Sequence, residues 1–370
     1  MYKIPISKPF LTQQDFLEIK KCFDSTWISS KSPWVAKFEK KFAKKVSRTK
    51  YAISVNSGTS ALFLALLALG VGPGDEVIMP SLTMIATINA VQLTGARTVL
   101  VDSVSKDDWN IDPAKIEQKI NKRTKVIMPV HLYGYPCDMD RINALAKKHN
   151  LFVIEDAAEA MGSLYKGNRA GSLSDIACFS LYSNKIITTA NGGMACTDNK
   201  KLYDLINKLK FFDYNTRTHF KHKLIGYNLV LSGLQAALGY SQIGSFGMRL
   251  KKRRRVFSWY KQELKDDGVK FIDSPKKDNP NYWFPAIIAK KQPVKRVIEK
   301  ALSKHRIEFR EFFLPVHRQP VYKKLFSGEK YPIADYFFER GLLLPSHFDL
   351  SLKEVKYICK VIKSALKLAS

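Results

Sequence analysis

Three stretches of the chain carry side chains whose types and spacing could do chemistry. The first is Lys185, a few residues beyond Cys178-Phe179-Ser180-Leu181 and just before the Thr- and Gly-rich segment Ile186 to Met194. A lysine in a partly desolvated place has a lowered pKa and can condense with an aldehyde. Taken alone, it also reads as an ordinary surface lysine in a loop. The second is Val153-Ile154-Glu155-Asp156, followed by Ala157-Ala158-Glu159. A carboxylate ending an apolar strand needs a cation to face it, such as a metal or a protonated ring nitrogen. The plainer reading is an exposed acid pair. The third is Asn56-Ser57-Gly58-Thr59-Ser60, between a strand and a helix. Glycine and hydroxyl residues at a helix start favour a phosphate, although an ordinary N-cap has the same composition.

The order of the three narrows these readings. An anion cradle, a strand-end acid and a loop lysine, in sequence on one domain, are what pyridoxal 5′-phosphate (PLP) requires. The phosphate is held, the ring nitrogen is kept protonated, and a lysine carries the aldehyde and moves protons.

Apolar β-branched runs at 50–55, 76–79, 98–102, 126–130, 152–156, 177–180 and 193–197 predict strands, with helical patterns at 59–69, 84–93 and 141–147. This alternation predicts a mostly parallel sheet covered on both faces. Beyond residue 200 the character changes, with helical patterns at 202–209 and 233–261, a polar turn-rich stretch at 273–281, a strand at 283–289, and helices at 294–305 and 352–366. The expected division is a large α/β domain with an N-terminal arm over residues 1–250 and a smaller α+β domain over 251–370.

Composition bounds the function. No run reaches the roughly 18 apolar residues of a membrane span, and no export signal is evident at the N-terminus. Five cysteines without a CxxC pair fit reduced thiols in a cytoplasmic protein better than disulfides or a zinc site, and no metal is expected. The net charge of +28 is spread thinly. Its one dense cluster, 249–255 (RLKKRRR), reads as the solvated face of a helix. Lysine-rich surface and attraction of an anionic substrate both account for it, and no helical or aromatic nucleic-acid reader accompanies it.

With these motifs placed, the chain resembles the DegT/DnrJ/EryC1/StrS group of fold-type-I sugar aminotransferases, which share the aspartate aminotransferase-like fold. The resemblance runs from TWISS (26–30) to GLLLPS (341–346). Its most specific stretches are NSGTSAL (56–62), GPGDEVIMPSLT (72–83), MPVHLYG (128–134), NLFVIEDAAEAMGS (150–163) and NKIIT (184–188). It implies that Lys185 is the lysine that carries PLP, that Asp156 pairs with the pyridine nitrogen, and that Glu159 lies near the phenolic oxygen. It further implies that Ser57, Gly58, Thr59 and Ser180 hold the phosphate and that Met84 covers the ring. Asn228 resembles an asparagine that reaches the phosphate from the other subunit of a homodimer. Trp27, Ser29, Arg310 and His317 are expected at the nucleotide-sugar.

The activity so implied moves an amino group from glutamate, through pyridoxamine 5′-phosphate, to a 4-keto-6-deoxyhexose on a nucleoside diphosphate. The product would be a 4-amino-4,6-dideoxy sugar of perosamine or viosamine type for surface glycans. Four positions depart from the pattern: Met84 for an aromatic, Asn191 for a glutamate, Val230 for an arginine and Leu314 for a histidine. They leave open another keto carbon or a cyclitol ketone. A sugar dehydratase, whose 3-dehydratase members replace the lysine with histidine, fits less well, as does a non-enzymatic regulator.

Overall fold

The computed structural model describes residues 2–214, 221–265, 268–275 and 278–369. Its centre is a seven-stranded sheet: β1 (Tyr51–Val55), β2 (Glu76–Pro80), β3 (Arg97–Val101), β4 (Thr124–Ile127), β5 (Phe152–Asp156), β6 (Ile176–Ser180) and β7 (Gly193–Thr197). The spatial order is β1-β7-β6-β5-β4-β2-β3. From β6 to β3 every pairing is parallel, and β7 runs antiparallel to both β1 and β6. All five residues of β2 and all five of β7 are buried, as expected of strands covered on both faces. The expected strands and the mostly parallel sheet are present.

This topology places the chemistry. β1, β2, β5 and β6 all point the same way, so the segments leaving them meet at one edge of the sheet, where ligands bind in open α/β folds. Those segments carry Ser57 to Thr59, Ser81 to Met84, Asp156 to Glu159, and Ser180 to Lys185. The reversed β7 starts at that edge, with Gly193 opposite both Val55 and Ser180. A Cβ on Gly193 would lie 2.2 Å from the Ser57 carbonyl oxygen, so only glycine lets the strand and the Ser57 turn come this close.

A second, four-stranded antiparallel sheet is built from β8 (Val269–Lys270), β9 (Ala286–Ala289), β10 (Arg310–Glu311) and β11 (Gly341–Leu343), in the order β8-β9-β11-β10. Helices Gln292–Lys304 and Leu352–Ala369 pack on each other beside it, around Ile287, Ile298, Leu342 and Ile358. Trp109 and Tyr133 meet Phe312 edge-on, and Trp109 also meets Phe337, so apolar packing runs between the two sheets.

Two expectations are corrected. The pattern at 233–261 is two helices, Gly233–Ile243 and Phe246–Glu263. The chain turns at Gly244, whose N–H bonds the Ser241 carbonyl three residues back at 2.9 Å. The RLKKRRR cluster is a solvated face only in part: Lys251 and Arg255 are exposed, and two of its arginines are not. Arg249 and Arg253, one helical turn apart, are each 1% exposed. Arg249 donates to Ser245 Oγ and the Phe10 carbonyl and lies 3.7 Å from Asp15. Helices Gln13–Asp24 and Pro33–Phe42, which the sequence did not announce, pack on Gly233–Ile243. All five cysteines are buried. Among the described residues no helix is long and apolar enough to cross a membrane.

Candidate active site

A cavity of about 320 Å³ opens at the edge where the strands converge. Ser57, Gly58, Thr59, Met84, Asp156, Glu159, Ser180, Lys185 and Arg310 all line it. Residues drawn from across the chain are thus gathered by the parallel topology into one space.

The anion end is built from backbone. Ser57 caps helix Gly58–Ala68, its Oγ accepting the Ser60 N–H at 3.0 Å. The amides of Gly58 and Thr59, in the first turn, have no helical acceptor and lie at the positive end of the helix. A Cβ on Gly58 would stand 3.1 Å from the Cβ of Ser180 and 3.3 Å from its Cα, so glycine lets the helix start close against β6. Two unpaired amides and the hydroxyls of Thr59 and Ser180 form a donor set suited to a phosphate.

The acid end depends on the strand pleat. Glu155 and Asp156 are neighbours, so their side chains leave β5 on opposite faces. Glu155 turns away from the cavity and is used structurally. It accepts from His131 Nε2 at 2.9 Å, from the amides of Gly171 and Leu173, and from the Ser174 hydroxyl. Burial works against its charge, but His131 and these donors outweigh that and hold its pKa below the usual carboxylate value. His131 Nδ1 accepts the Cys137 amide at 3.1 Å, so the network places the ring proton on Nε2. Asp156 faces the cavity. It accepts the Thr87 hydroxyl at 2.9 Å and the Ala158 amide at 3.2 Å. The Thr87 hydroxyl has one proton and gives it to Asp156, so the Thr83 hydroxyl, 2.9 Å from it, is the donor to Thr87. Burial raises the pKa of Asp156, partly offset by Ala158, Thr87, Lys185 and His131.

Lys185 lies between these ends. Its side chain is 10% exposed, and Nζ is 4.0 Å from Glu159 Oε1 and 3.5 Å from the centroid of the Trp283 ring. Burial lowers the amine pKa to about 8, with Glu159 and Asp156 pulling upward and Arg253 and Arg310 downward. Burial likewise pushes Glu159 up to about 7, against Lys185 and the Tyr133 N–H that its Oε2 accepts at 2.7 Å. An amine with a pKa near neutral keeps a useful neutral, nucleophilic fraction at physiological pH. Met84 covers one side of the cavity, and its Sδ accepts the Ala86 amide at 3.0 Å as the cap of helix Ile85–Gln92.

Four expected residues lie elsewhere in this chain. His317 binds Ser81 Oγ at 2.7 Å through Nδ1 and lies 3.3 Å from Asp335, so it braces the Ser81 segment from behind rather than entering the cavity. Trp27 is 58% exposed in the connection between the first two helices, with Ser29 beside it. Asn228 is exposed and bridges to Phe211. Of the departures, Asn191 lines the cavity, whereas Leu314 lies with His317 in a separate depression. Sequence reading missed Thr87, Trp283 and Arg253. Thr83 and Thr87 at one-turn spacing were a signal for the first. Nothing near Lys185 in sequence announced Trp283 or Arg253.

A buried, pKa-lowered lysine on a parallel-sheet edge, facing carboxylates across from an amide cradle, defines a PLP-dependent enzyme, and the donor set fits that cofactor at both ends. The chain belongs to the DegT/DnrJ/EryC1/StrS aminotransferase family, whose profile matches residues 9–363. It is a sugar aminotransferase by that membership. It is 42% identical to the GDP-perosamine synthase of Escherichia coli O157:H7, over 98% of each chain. The GDP-perosamine synthase of Caulobacter vibrioides is 39% identical, again over 98% of each chain. The PLP-form of a candidate sugar aminotransferase from Streptococcus pneumoniae superposes with a TM-score of 0.94 at 28% identity, covering 100% of both chains.

Proposed function

We propose that this enzyme moves the amino group of L-glutamate to the C4 keto group of a nucleotide-linked 4-keto-6-deoxyhexose. The product is a 4-amino-4,6-dideoxy sugar of GDP-perosamine or UDP-viosamine type, made in the cytoplasm for surface glycans. Two relatives across the whole chain length that are GDP-perosamine synthases support this choice of substrate. The observation that carries the reading is the position of Lys185: its amine is buried in the same cavity as Asp156 and the Ser57–Thr59 cradle, beside Glu159.

When bound, PLP supplies an electron sink that stabilises negative charge on the donor's α-carbon. The residues of the chain do the rest. The amides of Gly58 and Thr59, with the hydroxyls of Thr59 and Ser180, would hold the phosphate, and Ser57 caps the helix that presents them. Asp156, fixed by Thr87, would keep a proton on the ring nitrogen, and Glu159 would lie near the phenolic oxygen. Lys185 Nζ would take the α-proton from glutamate as base and pass it to the cofactor as acid, then play the same two roles in reverse to protonate C4 of the sugar. Arg310 at the cavity wall attracts the anionic groups of glutamate and of the nucleotide-sugar in turn. Asn228, exposed in its own chain, would reach the phosphate of the neighbouring subunit in a homodimer, as the family resemblance implies.

The test incubates PLP-loaded protein and glutamate with GDP- and UDP-linked 4-keto-6-deoxy sugars. Mass spectrometry and NMR then identify the product and the aminated carbon. A 4-amino sugar from either nucleotide, absent with Lys185→Ala, is expected. Amination at another carbon, or loss of a hydroxyl without amine gain, would overturn the assignment.

A further inference from the structure

Arg253 is the most deeply buried cation near the cavity that the proposed chemistry does not use. It belongs to helix Phe246–Glu263 and is 1% exposed. A buried charge needs compensation, usually from a carboxylate. Among the described residues no carboxylate pairs with Arg253. Its fork is spent on oxygens instead. Nη1 donates to the Trp283 carbonyl at 2.9 Å and to Ser346 Oγ, and Nη2 donates to the Asn184 carbonyl at 3.3 Å. Nε has no partner. Phe348 lies beneath the guanidinium, 4.6 Å from its centroid.

Both carbonyls matter to Lys185. Asn184 is the residue before it, and its carbonyl also accepts Trp283 Nε1 at 3.1 Å. Trp283 is the residue whose ring lies under the Lys185 amine. The Trp283 carbonyl is further held by Ser346 Oγ at 2.9 Å. One guanidinium thus ties together the peptide that carries the lysine and the peptide that carries the ring beside its amine, 98 positions apart in sequence.

We propose that Arg253 is a positioning residue for Lys185: it fixes the Asn184–Lys185 peptide and the Trp283 ring as one unit and presents an unpaired positive charge to the amine. The inference rests on Lys185 being the PLP-carrying lysine. The groups facing that amine are Glu159 and Asp156 from the end of β5, Arg310 from β10, Arg253 from its helix, and the Trp283 ring. The carboxylates and the ring favour the ammonium form. The two arginines favour the neutral amine, in accord with the direction in which each moves the amine's pKa. Burial and the neighbouring Arg249 lower Arg253 itself to about 9, so it is charged at neutral pH. Arginine serves here because a planar fork can span two carbonyls where a lysine offers a single point.

The experiment compares the full-length wild type with Arg253→Lys, Arg253→Met and Trp283→Phe. PLP-free protein is labelled with acetic anhydride across a pH series, and acetylation of Lys185 is followed by mass spectrometry. PLP-loaded protein is assayed for kcat and KM. Arg253→Lys keeps the charge and loses the fork: its labelling midpoint is expected to match wild type while kcat falls about tenfold and KM for glutamate stays within about twofold. Arg253→Met removes the charge as well, and its midpoint is expected to move to higher pH. Trp283→Phe, which keeps a ring but loses the bond to Asn184, is expected to lower kcat without moving KM. Wild-type kcat in Arg253→Lys overturns the clamp, and an unmoved midpoint in a folded Arg253→Met overturns the electrostatic part. Should Arg253→Met not fold, the kcat of Arg253→Lys and of Trp283→Phe decides. Failure of wild-type protein to give a borohydride-trapped PLP adduct at Lys185 would instead overturn the underlying reading.

Discussion

Replacing Thr87 by valine removes one hydroxyl and keeps the shape of the side chain. Asp156 has two protein donors, the Thr87 hydroxyl at 2.9 Å and the Ala158 amide at 3.2 Å. A hydrogen bond to a charged group contributes about 1.5–3 kcal/mol. Its loss therefore weakens the ionised form of Asp156 by roughly tenfold to a hundredfold, at about 1.4 kcal/mol per factor of ten. Burial already raises the pKa of this carboxyl and Thr87 opposes that rise, so Thr87→Val raises it further. Only the ionised carboxylate keeps a proton on the ring nitrogen. The acid limb of the kcat/KM profile is therefore expected to move to higher pH, with activity on that limb falling by about ten- to a hundredfold, and PLP to bind more weakly in a spectrophotometric titration. Thr87→Ser, which retains the hydroxyl, should recover most of the loss. A Thr87→Val enzyme with an unmoved acid limb and activity on it within about twofold of wild type would refute the argument that this hydroxyl holds Asp156 charged.

Two further outcomes follow from the same geometry. Gly58→Val places a branched side chain where a Cβ alone is 3.1 Å from Ser180, so the cradle must open; PLP retention after dialysis should drop sharply, while the Tm of the PLP-free protein changes little. The Lys185–Glu159 pair should also give PLP-free protein a trough in stability. Glu159 titrates near 7 when folded against 4.5 as its ordinary value, so the folded state binds more protons between them and stability falls as pH rises through that window. Lys185 titrates near 8 against 10.5, so the unfolded state binds more protons there and stability rises with pH above 8. The Tm difference between PLP-free wild type and the Glu159→Gln/Lys185→Met double variant should be least favourable to wild type at pH 7–8. A difference that does not vary with pH rules out both shifts.

What the sequence alone determined is local in origin. Alternating β-branched runs and helical periods specify the sheet, because each strand and helix is written in its own few residues. The segments leaving those strands, and hence Ser57 to Thr59, Asp156 and Lys185, are legible for the same reason. Only the tertiary structure decided what surrounds them. Glu155 and Asp156 look alike in sequence, and the pleat sends one to His131 and the other to the cavity. The RLKKRRR run looks like solvent-facing charge, yet Arg253 finds its oxygens on Asn184 and Trp283, which reach it only once the two sheets have packed. His317 turns away from the cavity because Ser81 and Asp335 lie behind it. A buried polar group is decided by which partners arrive within hydrogen-bond reach, and those partners come from distant parts of the chain that sequence patterning does not connect.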